Sequence, residues 1–379
     1  MDPIVVIGAG LAGYTVIREL RKLDTATPIT LVTSDAGDFY AKPALSNALA
    51  QGKSAAQLVT TPAEAMAAQF NITLLNHATV LGIDTTARTV TTTRGTLPYA
   101  RLVLALGADP IRLNLSGDAA DAVMSVNDLA DYAAFRERLE QARHVAILGA
   151  GLIGCEFAND LAATGYRVTV IAPSAHPLAN LLPEVAGQAM TQGLAEAGVY
   201  WIFGRRAVAA SQRPRGGVEL SLDDGGTIEA DLVLSAVGLR PRTELARAAG
   251  IAVNRGIVVD AHLQTSAPEI YAIGDCAEIE GQVLPYVQPI MHAAKSLAKT
   301  LAGEATAVAF PPMPVVVKTP ACPVATQPVR PEVEGVWHCE QTADGLRMVC
   351  AAPDSRLIGF ALTGKRTTER MALAKQLAG

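Results

Sequence analysis

The sequence predicts an α/β protein made of two βαβ nucleotide-binding units followed by a small C-terminal α+β domain. Two observations carry that expectation. The same order of strand, glycine-rich turn, helix and strand occurs twice along the 379 residues. From Met313 the composition changes to strands rich in Pro, Val and Thr, followed by a basic, helix-like tail from Lys365 to Leu377. Strands that alternate with helices are typical of a parallel sheet with helices on its faces.

The first βαβ unit starts at the fourth residue. The apolar strand Ile4–Ile7 enters a GxGxxG turn, continues as a helix-like stretch to Leu23 and is followed by the strand Ile29–Val32. The first glycine of such a turn makes the tight bend, the second lets the backbone approach a pyrophosphate, and the third lets the helix pack closely on the strand. We therefore expect a dinucleotide site on the turn residues, which are Gly8, Ala9, Gly10, Leu11, Ala12 and Gly13.

The second unit repeats this order 141 residues later. A strand at 145–148 enters the turn 149–154, a helix follows to about Ala163, and a strand covers 166–171. The glycines of this turn are Gly149, Gly151 and Gly154. A helix N-terminus offers phosphate its free N–H groups and a partial positive charge. Two correctly framed copies predict two nucleotide sites in Rossmann-like domains.

The rest of the chain is organised around these units. We divide it at residues 1–112, 113–241, 242–312 and 313–379. The first segment includes a stretch from Ala67 to Arg101 with strand-like alternation of Thr and Val. It closes with an apolar run that ends at Gly107, and the second segment closes with a matching run that ends at Gly238. The third segment contains a further apolar run that ends at Gly274-Asp275.

Composition excludes several classes of protein. The net charge is 31 − 36 = −5 without a long basic block, which argues against nucleic-acid binding. No apolar run approaches the roughly 18–20 residues of a membrane span. We expect no signal peptide, because the chain enters an apolar strand by the fourth residue, without a basic n-region or a cleavage site. The five cysteines form no CxxC pair, so we expect a cytoplasmic protein with reduced thiols and no metal site.

These residues resemble the FAD-dependent pyridine nucleotide reductases of glutathione-reductase-like architecture, over the whole chain. The resemblance rests on the two glycine turns, the two matching runs and Gly274-Asp275. It implies that 1–112 and 242–312 form a discontinuous FAD-binding domain and that 113–241 binds NAD(H). Three more discriminating segments are similar to the members that reduce rubredoxin with NADH: YAKPALS at 40–46, GAGLIGCEFAND at 149–160 and VKTPACP at 317–323.

The resemblance also assigns cofactor-binding residues. Asp275 would hold a ribityl hydroxyl of FAD, although an Asp here could also simply cap a helix. The backbones of Val80 and Val287 would touch adenine and flavin, although both could be plain core valines.

Three charged residues are assigned a role in the reaction by the same resemblance. Glu156, which we place in the first turn of the second helix, would reach the nicotinamide–flavin stack; an ordinary partner of the helix dipole is the alternative. Lys42 would supply its countercharge, unless it is solvent-exposed. Lys318 would stabilise the negative charge that reduction puts on the flavin N1/C2 region, unless it lies on an exposed strand edge.

The sequence departs from the family at both ribose positions. The first unit carries Thr33, Ser34 and Asp35 where an acidic residue usually ends the second strand, so hydroxyls, backbone or Asp35 would hold the ribose. The second unit carries Ala172-Pro173, and no Arg or Lys occurs between Arg167 and Arg205. We therefore expect NADH to be preferred over NADPH. A charged His176 is the nearby group that could weaken the preference.

The positions of the cysteines decide how electrons leave. Disulfide-reducing relatives need two cysteines that face the flavin, whereas the first cysteine here is Cys155, inside the second glycine turn. Electrons would therefore pass singly and directly from the flavin to rubredoxin. Reduction of a flavorubredoxin or a 2Fe–2S ferredoxin is the near alternative, and a non-catalytic flavoprotein that senses nucleotides is the remote one.

The basic tail is a candidate docking surface for an acidic rubredoxin. Lys365, Arg366, Arg370 and Lys375 against Glu369 give 4 − 1 = +3. On one helix Arg366 and Arg370 would share a face. An ordinary solvated helix is the alternative.

Overall fold

The computed structural model describes residues 2–330 and 332–377. The strands in chain order are β1 (Ile4–Ile7), β2 (Ile29–Val32), β3 (Phe39–Tyr40), β4 (Val59–Thr61), β5 (Thr73–Leu75), β6 (Val80–Asp84), β7 (Thr89–Thr92), β8 (Gly95–Pro98), β9 (Arg101–Leu104), β10 (Ala108–Pro110), β11 (His144–Leu148), β12 (Arg167–Ala172), β13 (Val199–Phe203), β14 (Ala207–Gln212), β15 (Val218–Leu222), β16 (Thr227–Ala230), β17 (Leu232–Ser235), β18 (Leu239–Pro241), β19 (Ile257–Val259), β20 (Ile270–Ala272), β21 (Ala277–Ile279), β22 (Val315–Val317), β23 (Val324–Gln327), β24 (Val336–Thr342), β25 (Gly345–Ala351) and β26 (Leu357–Thr363).

The helices follow the same chain order. They are α1 (Leu11–Arg21), α2 (Ala55–Leu58), α3 (Ala63–Phe70), α4 (Leu129–Leu139), α5 (Leu152–Ala163), α6 (Glu184–Glu196), α7 (Glu244–Ala248), α8 (Val287–Leu301) and α9 (Arg370–Leu377). Further segments form 3-10 helices: Lys42–Asn47, Ala120–Ala122, Gly274–Cys276 and Gly364–Glu369. Across the described residues, every helix falls short of the length and apolarity that a membrane span requires.

The chain divides into two compact units. The first comprises the described residues of Met1–Lys42, Val59–Asp109 and Leu239–Phe310. The second comprises those of Pro43–Leu58, Pro110–Gly238 and Pro311–Gly379. The sixteen-residue segment 43–58 therefore belongs with residues that follow far later in the sequence. The division into an FAD domain, an NAD domain and a separate C-terminal domain stays a prediction.

The first unit is built on a parallel sheet with the strand order β20-β9-β1-β2-β5. Strand β1 lies between β2 and β9, and all four of its residues are buried, as a continuous apolar run in a parallel sheet predicts. Helices α1 and α8 pack against each other in this unit, and α8 buries one apolar face in the core. The strands predicted at 4–7 and 29–32 are confirmed to the residue.

The second unit repeats the arrangement in the parallel order β13-β12-β11-β17. An antiparallel sheet, β14-β15-β16, follows it in the same unit. The C-terminal part of this unit is an antiparallel sheet with the order β22-β23-β26-β25-β24, and α9 packs on β26. The predicted α/β fold with a smaller α+β portion at the C-terminal end is confirmed.

Two local predictions were wrong in part. The stretch from Ala67 to Arg101 contains the strands β5 to β8 as expected, but its first residues belong to α3, which continues to Phe70 because its apolar residues follow a helical spacing and bury Met66 and Phe70. The basic tail is not one helix, since the 3-10 helix Gly364–Glu369 precedes α9. The hydroxyl groups of Thr367 and Thr368 donate to backbone carbonyls three residues earlier, which favours the tighter 3-10 turn.

Candidate functional site

The first glycine of each turn has a conformation and a position that exclude any other residue. Gly8 and Gly149 have φ angles of 112° and 107°. A Cβ at Gly8 would collide with the carbonyl oxygen of Ala105, and a Cβ at Gly149 would collide with that of Ala236. Because the two collisions are equivalent, the turns have the same geometry in both units.

The other glycines of the turns have different tasks. A Cβ at Gly13 or Gly154 would strike the carbonyl oxygen of the first glycine in the same turn, so each allows close packing of helix on strand. A Cβ at Gly10 or Gly151 would meet no described atom within 4 Å. That open space lies where a pyrophosphate is expected to approach the backbone. The residues of both turns fit a dinucleotide.

In three long helices no described side chain offsets the partial positive charge of the helix N-terminus. Within the described residues, α1, α5 and α8 have no side-chain cap and no acidic residue in the first turn. Their N-cap residues are Gly10, Gly151 and Tyr286. The backbone N–H groups of a first turn have no partner inside the helix and attract anions. Val287, the predicted flavin contact, is the first residue of α8, so its N–H group is one of these donors.

Asp275 lies next to the first glycine turn. Gly274, with a φ of 81°, allows this approach, because a Cβ there would come within 2.9 Å of the Ala12 Cβ. Burial raises the pKa of Asp275, and the charge of Lys42 opposes that shift. Among the described residues the Asp275 carboxylate accepts no hydrogen bond, so it has acceptor capacity for a ligand hydroxyl. The alternative of a helix cap fails, since Asp275 lies within the 3-10 helix Gly274–Cys276.

The ribose position of the first unit lies at the end of β2. Thr33 is buried, and its hydroxyl donates to Asp35 Oδ1 at 2.7 Å. The same oxygen accepts from Gly37 N at 2.9 Å, which orients the exposed carboxylate. The Ser34 side chain is exposed. The Thr33 hydroxyl already donates its hydrogen bond within this loop. The exposed side chains of Asp35 and Ser34 are therefore the ones available to bind an adenosine ribose.

Val80 is placed beside this loop by backbone hydrogen bonds. His77 N donates to Asp35 O, and Ala78 N donates to Thr33 O, each at 2.9 Å. Val80 then opens β6 and is half-buried. Its location beside the end of β2 suits the predicted contact with adenine.

The ribose position of the second unit lies at the end of β12. The ring of His176 is buried, and its Nδ1 hydrogen-bonds to Pro177 O at 3.0 Å. A basic residue from later in the chain does lie here, because Arg205 N donates to Ala172 O at 3.2 Å. The absence of Arg and Lys between Arg167 and Arg205 holds along the sequence, but Arg205 itself is beside Ala172 in space.

Glu156 is the centre of a polar cluster inside the second unit. Its side chain is fully buried. Oε1 accepts from the Lys318 backbone N at 3.0 Å, and Oε2 accepts from the hydroxyl of Ser46. The expected location in the first helical turn was wrong: α5 begins at Leu152, because Gly151 is the N-cap, and Glu156 is its fifth residue. A role as a simple partner of the helix dipole is excluded, since that effect is confined to the first turn.

Lys318 supplies the countercharge of Glu156. Its Nζ lies 3.0 Å from Glu156 Oε2 and 3.3 Å from Ser46 Oγ, and it also donates to the carbonyl of Pro43. These three acceptors match the three N–H donors of an ammonium group. The charge of Lys318 therefore acts first on Glu156 and on the segment that begins at Pro43. Lys42 belongs to the first unit, where its charge acts on Asp275.

Helix α5 holds two further segments of the second unit through adjacent polar side chains. Asp160 accepts from Leu49 N at 2.9 Å and from Ala50 N at 3.0 Å. Asn159 Oδ1 accepts from Ala321 N at 3.0 Å. Burial raises the pKa of Asp160, and the two backbone hydrogen bonds oppose that shift. Sequence reasoning gave no role to Ser46 or Asp160; for Asp160 the signal was the polar pair Asn159-Asp160 in a largely apolar helix.

The cysteines are isolated thiols. Cys155, Cys276, Cys322 and Cys350 are buried and Cys339 is exposed, and all five are free. Burial raises the pKa of Cys276 and of Cys322 to about 11. It also raises the pKa of Cys155 and of Cys350. These four thiols are therefore protonated at neutral pH, whereas a redox relay would need a thiolate.

Comparison with known proteins gives matches over nearly the whole chain. A profile described as "Pyridine nucleotide-disulphide oxidoreductase" matches residues 2–299, and one described as "Rubredoxin binding C-terminal domain" matches residues 307–377. The "Rubredoxin-NAD(+) reductase" of Alcanivorax borkumensis is 48% identical over 377 residues, which cover 100% of this chain and 99% of that protein.

Two other similar proteins bear on the acceptor. The "Nitric oxide reductase FlRd-NAD(+) reductase" of Aeromonas salmonicida is 42% identical over 374 residues, covering 99% of this chain and 96% of that one. Among solved structures, the ferredoxin reductase for the CYP199A2 system from Rhodopseudomonas palustris has a TM-score of 0.89 at 27% identity. It covers 98% of this chain, which in turn covers 93% of it.

Proposed function

Because the chain belongs to the pyridine nucleotide-disulphide oxidoreductase family, with FAD and NAD(H) as cofactors, we propose that it is an NADH:rubredoxin oxidoreductase. One observation carries the proposal. Two dinucleotide turns of equal geometry occur in a chain whose C-terminal sheet is of the rubredoxin-binding type. The isolated, protonated cysteines agree with transfer that bypasses a redox disulfide.

The bound flavin supplies the chemistry that accepts two electrons as a hydride and releases them singly. The protein's own residues bind and orient. In the first unit, the Gly8–Gly13 turn and the start of α1 take the FAD pyrophosphate, Asp275 holds a ribityl hydroxyl, and the Val287 N–H group donates to the flavin. Asp35 and Ser34 hold the adenosine ribose beside Val80, and Lys42 is a further flavin-side cation.

In the second unit, the Gly149–Gly154 turn and the start of α5 take the NADH pyrophosphate. Glu156 meets the nicotinamide. Lys318 positions Glu156, since it is bonded to both carboxylate oxygens. Ser46 and Pro43 are held by the same ammonium group.

The near alternative is a reductase for a flavorubredoxin. It is favoured by the similarity to a protein named as an FlRd-NAD(+) reductase, which is 42% identical over 374 residues, against 48% over 377 residues for the rubredoxin reductase. A 2Fe–2S ferredoxin remains a third acceptor to test.

Anaerobic stopped-flow measurement separates these possibilities. NADH should bleach the flavin absorbance band at about 450 nm. The reduced enzyme should then be reoxidised fastest by rubredoxin. Faster turnover with a flavorubredoxin or a ferredoxin would identify the acceptor as that protein. Absence of bleaching by NADH would favour a non-catalytic nucleotide sensor. We place the protein in the cytoplasm, where NADH is supplied.

A further inference from the structure

Arg205 lies beside the ribose position of the second unit. Strands β12 and β13 pair in parallel, and their last paired residues are Ala172 and Phe203. Beyond them, Arg205 N donates to Ala172 O and Gly204 N donates to Ser174 O, each at 3.2 Å. In a Rossmann-like unit the residue that ends the second strand faces the adenosine ribose, where an arginine nearby accommodates a 2′-phosphate.

The charge of this arginine is neutralised by a neighbouring turn. Arg205 Nε forms an ion pair with Asp224 Oδ2, and Arg205 Nη1 donates to Gly204 O at 3.0 Å. Asp224 lies in the turn between β15 and β16, where its Oδ1 accepts from Gly226 N at 3.0 Å. That backbone hydrogen bond, followed by the interactions with Arg205, lowers the pKa of Asp224, so the group is an anion at neutral pH.

The arginine loop and the turn are also joined through their backbones. Arg206 N donates to Asp223 Oδ1 at 3.2 Å, and Asp223 N donates to Arg206 O at 2.9 Å. The ion pair between Arg205 and Asp224 is therefore accompanied by backbone hydrogen bonds between Arg206 and Asp223. The Arg205–Asp224 pair is nearly half exposed on both sides and adds little to stability, so its charge can be altered while the fold is kept.

We propose that Asp224 is a specificity-determining residue for coenzyme choice: it neutralises Arg205, so that no unpaired guanidinium is offered to a 2′-phosphate beside the ribose position and NADH is preferred. The inference rests on the proposed function, in which the second unit binds NADH. A 2′-phosphate carries close to two negative charges at neutral pH, and a carboxylate nearby opposes its binding while an unpaired guanidinium favours it.

The test uses Asp224→Asn, which keeps the size and the acceptor for Gly226 N but removes the charge. Binding of adenosine 2′,5′-bisphosphate and of 5′-AMP to the holoenzyme is measured by calorimetry at low salt. We expect the bisphosphate to bind at least several-fold more tightly to the variant, with 5′-AMP unchanged. Flavin reduction by NADPH should accelerate by a similar factor, while reduction by NADH stays constant.

Two further variants make the result specific. Arg205→Gln in the Asp224→Asn background should abolish the gain, because the gain depends on the released guanidinium. Glu229→Gln is the matched control: it removes one negative charge from an exposed pair with Arg213, beyond the far end of β14 from Arg205. An unchanged bisphosphate affinity in Asp224→Asn, or an equal gain in Glu229→Gln, would overturn the proposal.

The failure of the proposed function gives a different signature. If NADH does not reduce the flavin of the wild-type enzyme, the proposed oxidoreductase activity is wrong, whatever the nucleotide affinities are. If 5′-AMP does not bind wild type at all, the adenosine site itself is wrong, and the inference about Asp224 fails with it.

Discussion

Lys318 bonds to Glu156 twice, through its backbone N to Oε1 and through its Nζ to Oε2, each at 3.0 Å, although 162 positions separate the two residues. The carboxylate is fully buried, and the Ser46 hydroxyl donates to it as well. The pair joins the helix that follows the second glycine turn to the chain just after β22.

Removal of the Glu156 carboxylate should destabilise the second unit. Glu156→Ala leaves the Lys318 ammonium and the buried Ser46 hydroxyl without their anion. We expect a loss of about 3 kcal/mol, the lower end of the range for a broken buried pair, since Lys318 keeps 34% of its side chain exposed. Urea unfolding followed by tryptophan fluorescence measures it, because Trp201 and Trp337 both belong to the second unit.

A control for this measurement is Glu229→Ala, which breaks an exposed pair and should cost less than about 1 kcal/mol. Equal losses of stability in both variants would mean that the buried Glu156–Lys318 pair stabilises the protein no more than the Arg213–Glu229 pair does. Glu156→Gln, which keeps the shape, should fold but slow hydride transfer from NADH. A rate like that of wild type would leave Glu156 with a structural role alone.

Neutralisation of Asp275 should have opposite effects on the apoprotein and on FAD binding. The pKa of Asp275 is raised by burial more than Lys42 lowers it, so the folded apoprotein holds the proton more tightly than the unfolded chain does. Its stability therefore falls as pH rises above the unfolded value of about 4 and through the raised folded value. Asp275→Asn removes that penalty and should raise the Tm of the apoprotein at neutral pH.

The same Asp275→Asn variant should bind FAD roughly tenfold more weakly, because it loses a charge-assisted hydrogen bond worth about 1.5 kcal/mol. Fluorescence titration of the apoprotein with FAD measures this. Thr265→Ser, at a buried position of the same unit, serves as the control for general loosening of the core. Unchanged FAD affinity in Asp275→Asn would remove this residue from the cofactor site.

Thiol reagents should distinguish the cysteines by burial. With pKa values of about 11, Cys276 and Cys322 are thiolates in about one molecule in ten thousand at pH 7. We expect a disulfide reagent to modify Cys339 alone in the native enzyme and all five thiols in denaturant. Rubredoxin reduction should survive modification of Cys339. Its loss, with NADH-to-flavin transfer intact, would reveal a thiol relay.

The basic tail is less charged in space than its sequence indicates. Arg366 lies 2.7 Å from Glu340 and 3.1 Å from Glu369, so its charge is largely neutralised. Lys365 and Lys375 are exposed; Lys365 Nζ lies 3.0 Å from Asp344 Oδ1, but that pair is itself exposed, so both lysines are the candidates for docking. Reversal of both to Glu should raise the KM for an acidic rubredoxin several-fold and leave flavin reduction by NADH unchanged, since steering acts on the encounter.

The matched control for that experiment is Arg356→Glu, an exposed residue in the turn before β26. Wild-type turnover with rubredoxin should also slow with added salt. If the KM for rubredoxin does not change when the charges of Lys365 and Lys375 are reversed, the acceptor docks on another surface.

The strands and the two turns were predictable because their signals are local. Apolar runs such as Ile4–Ile7 are buried on both faces, and the first and third glycines of each turn are required by a backbone collision within their own unit. The tail was mispredicted because a helical spacing of basic residues does not show that Thr367 and Thr368 bond back to the main chain.

The polar contacts of the site were not predictable from local pattern. Ser46, Glu156 and Lys318 come from three segments that the fold brings together, and nothing at any one of them specifies the others. Arg205 could have been found by one further step. Adjacent parallel strands end at the same edge, so the residues after β13 had to lie beside those after β12.

The strand order of the first unit has a consequence for synthesis on the ribosome. Strand β9 pairs with β20, whose residues are synthesised about 170 positions later. The parallel sheet of the second unit, in contrast, is complete once β17 has been synthesised. While the parallel sheet of the second unit forms, the nascent chain therefore carries β9 with one edge unpaired, although this largely apolar strand is buried in the complete fold. An edge of that kind invites association with other chains. Truncations that end between β17 and β20 should aggregate, and chaperones should engage the chain over that interval.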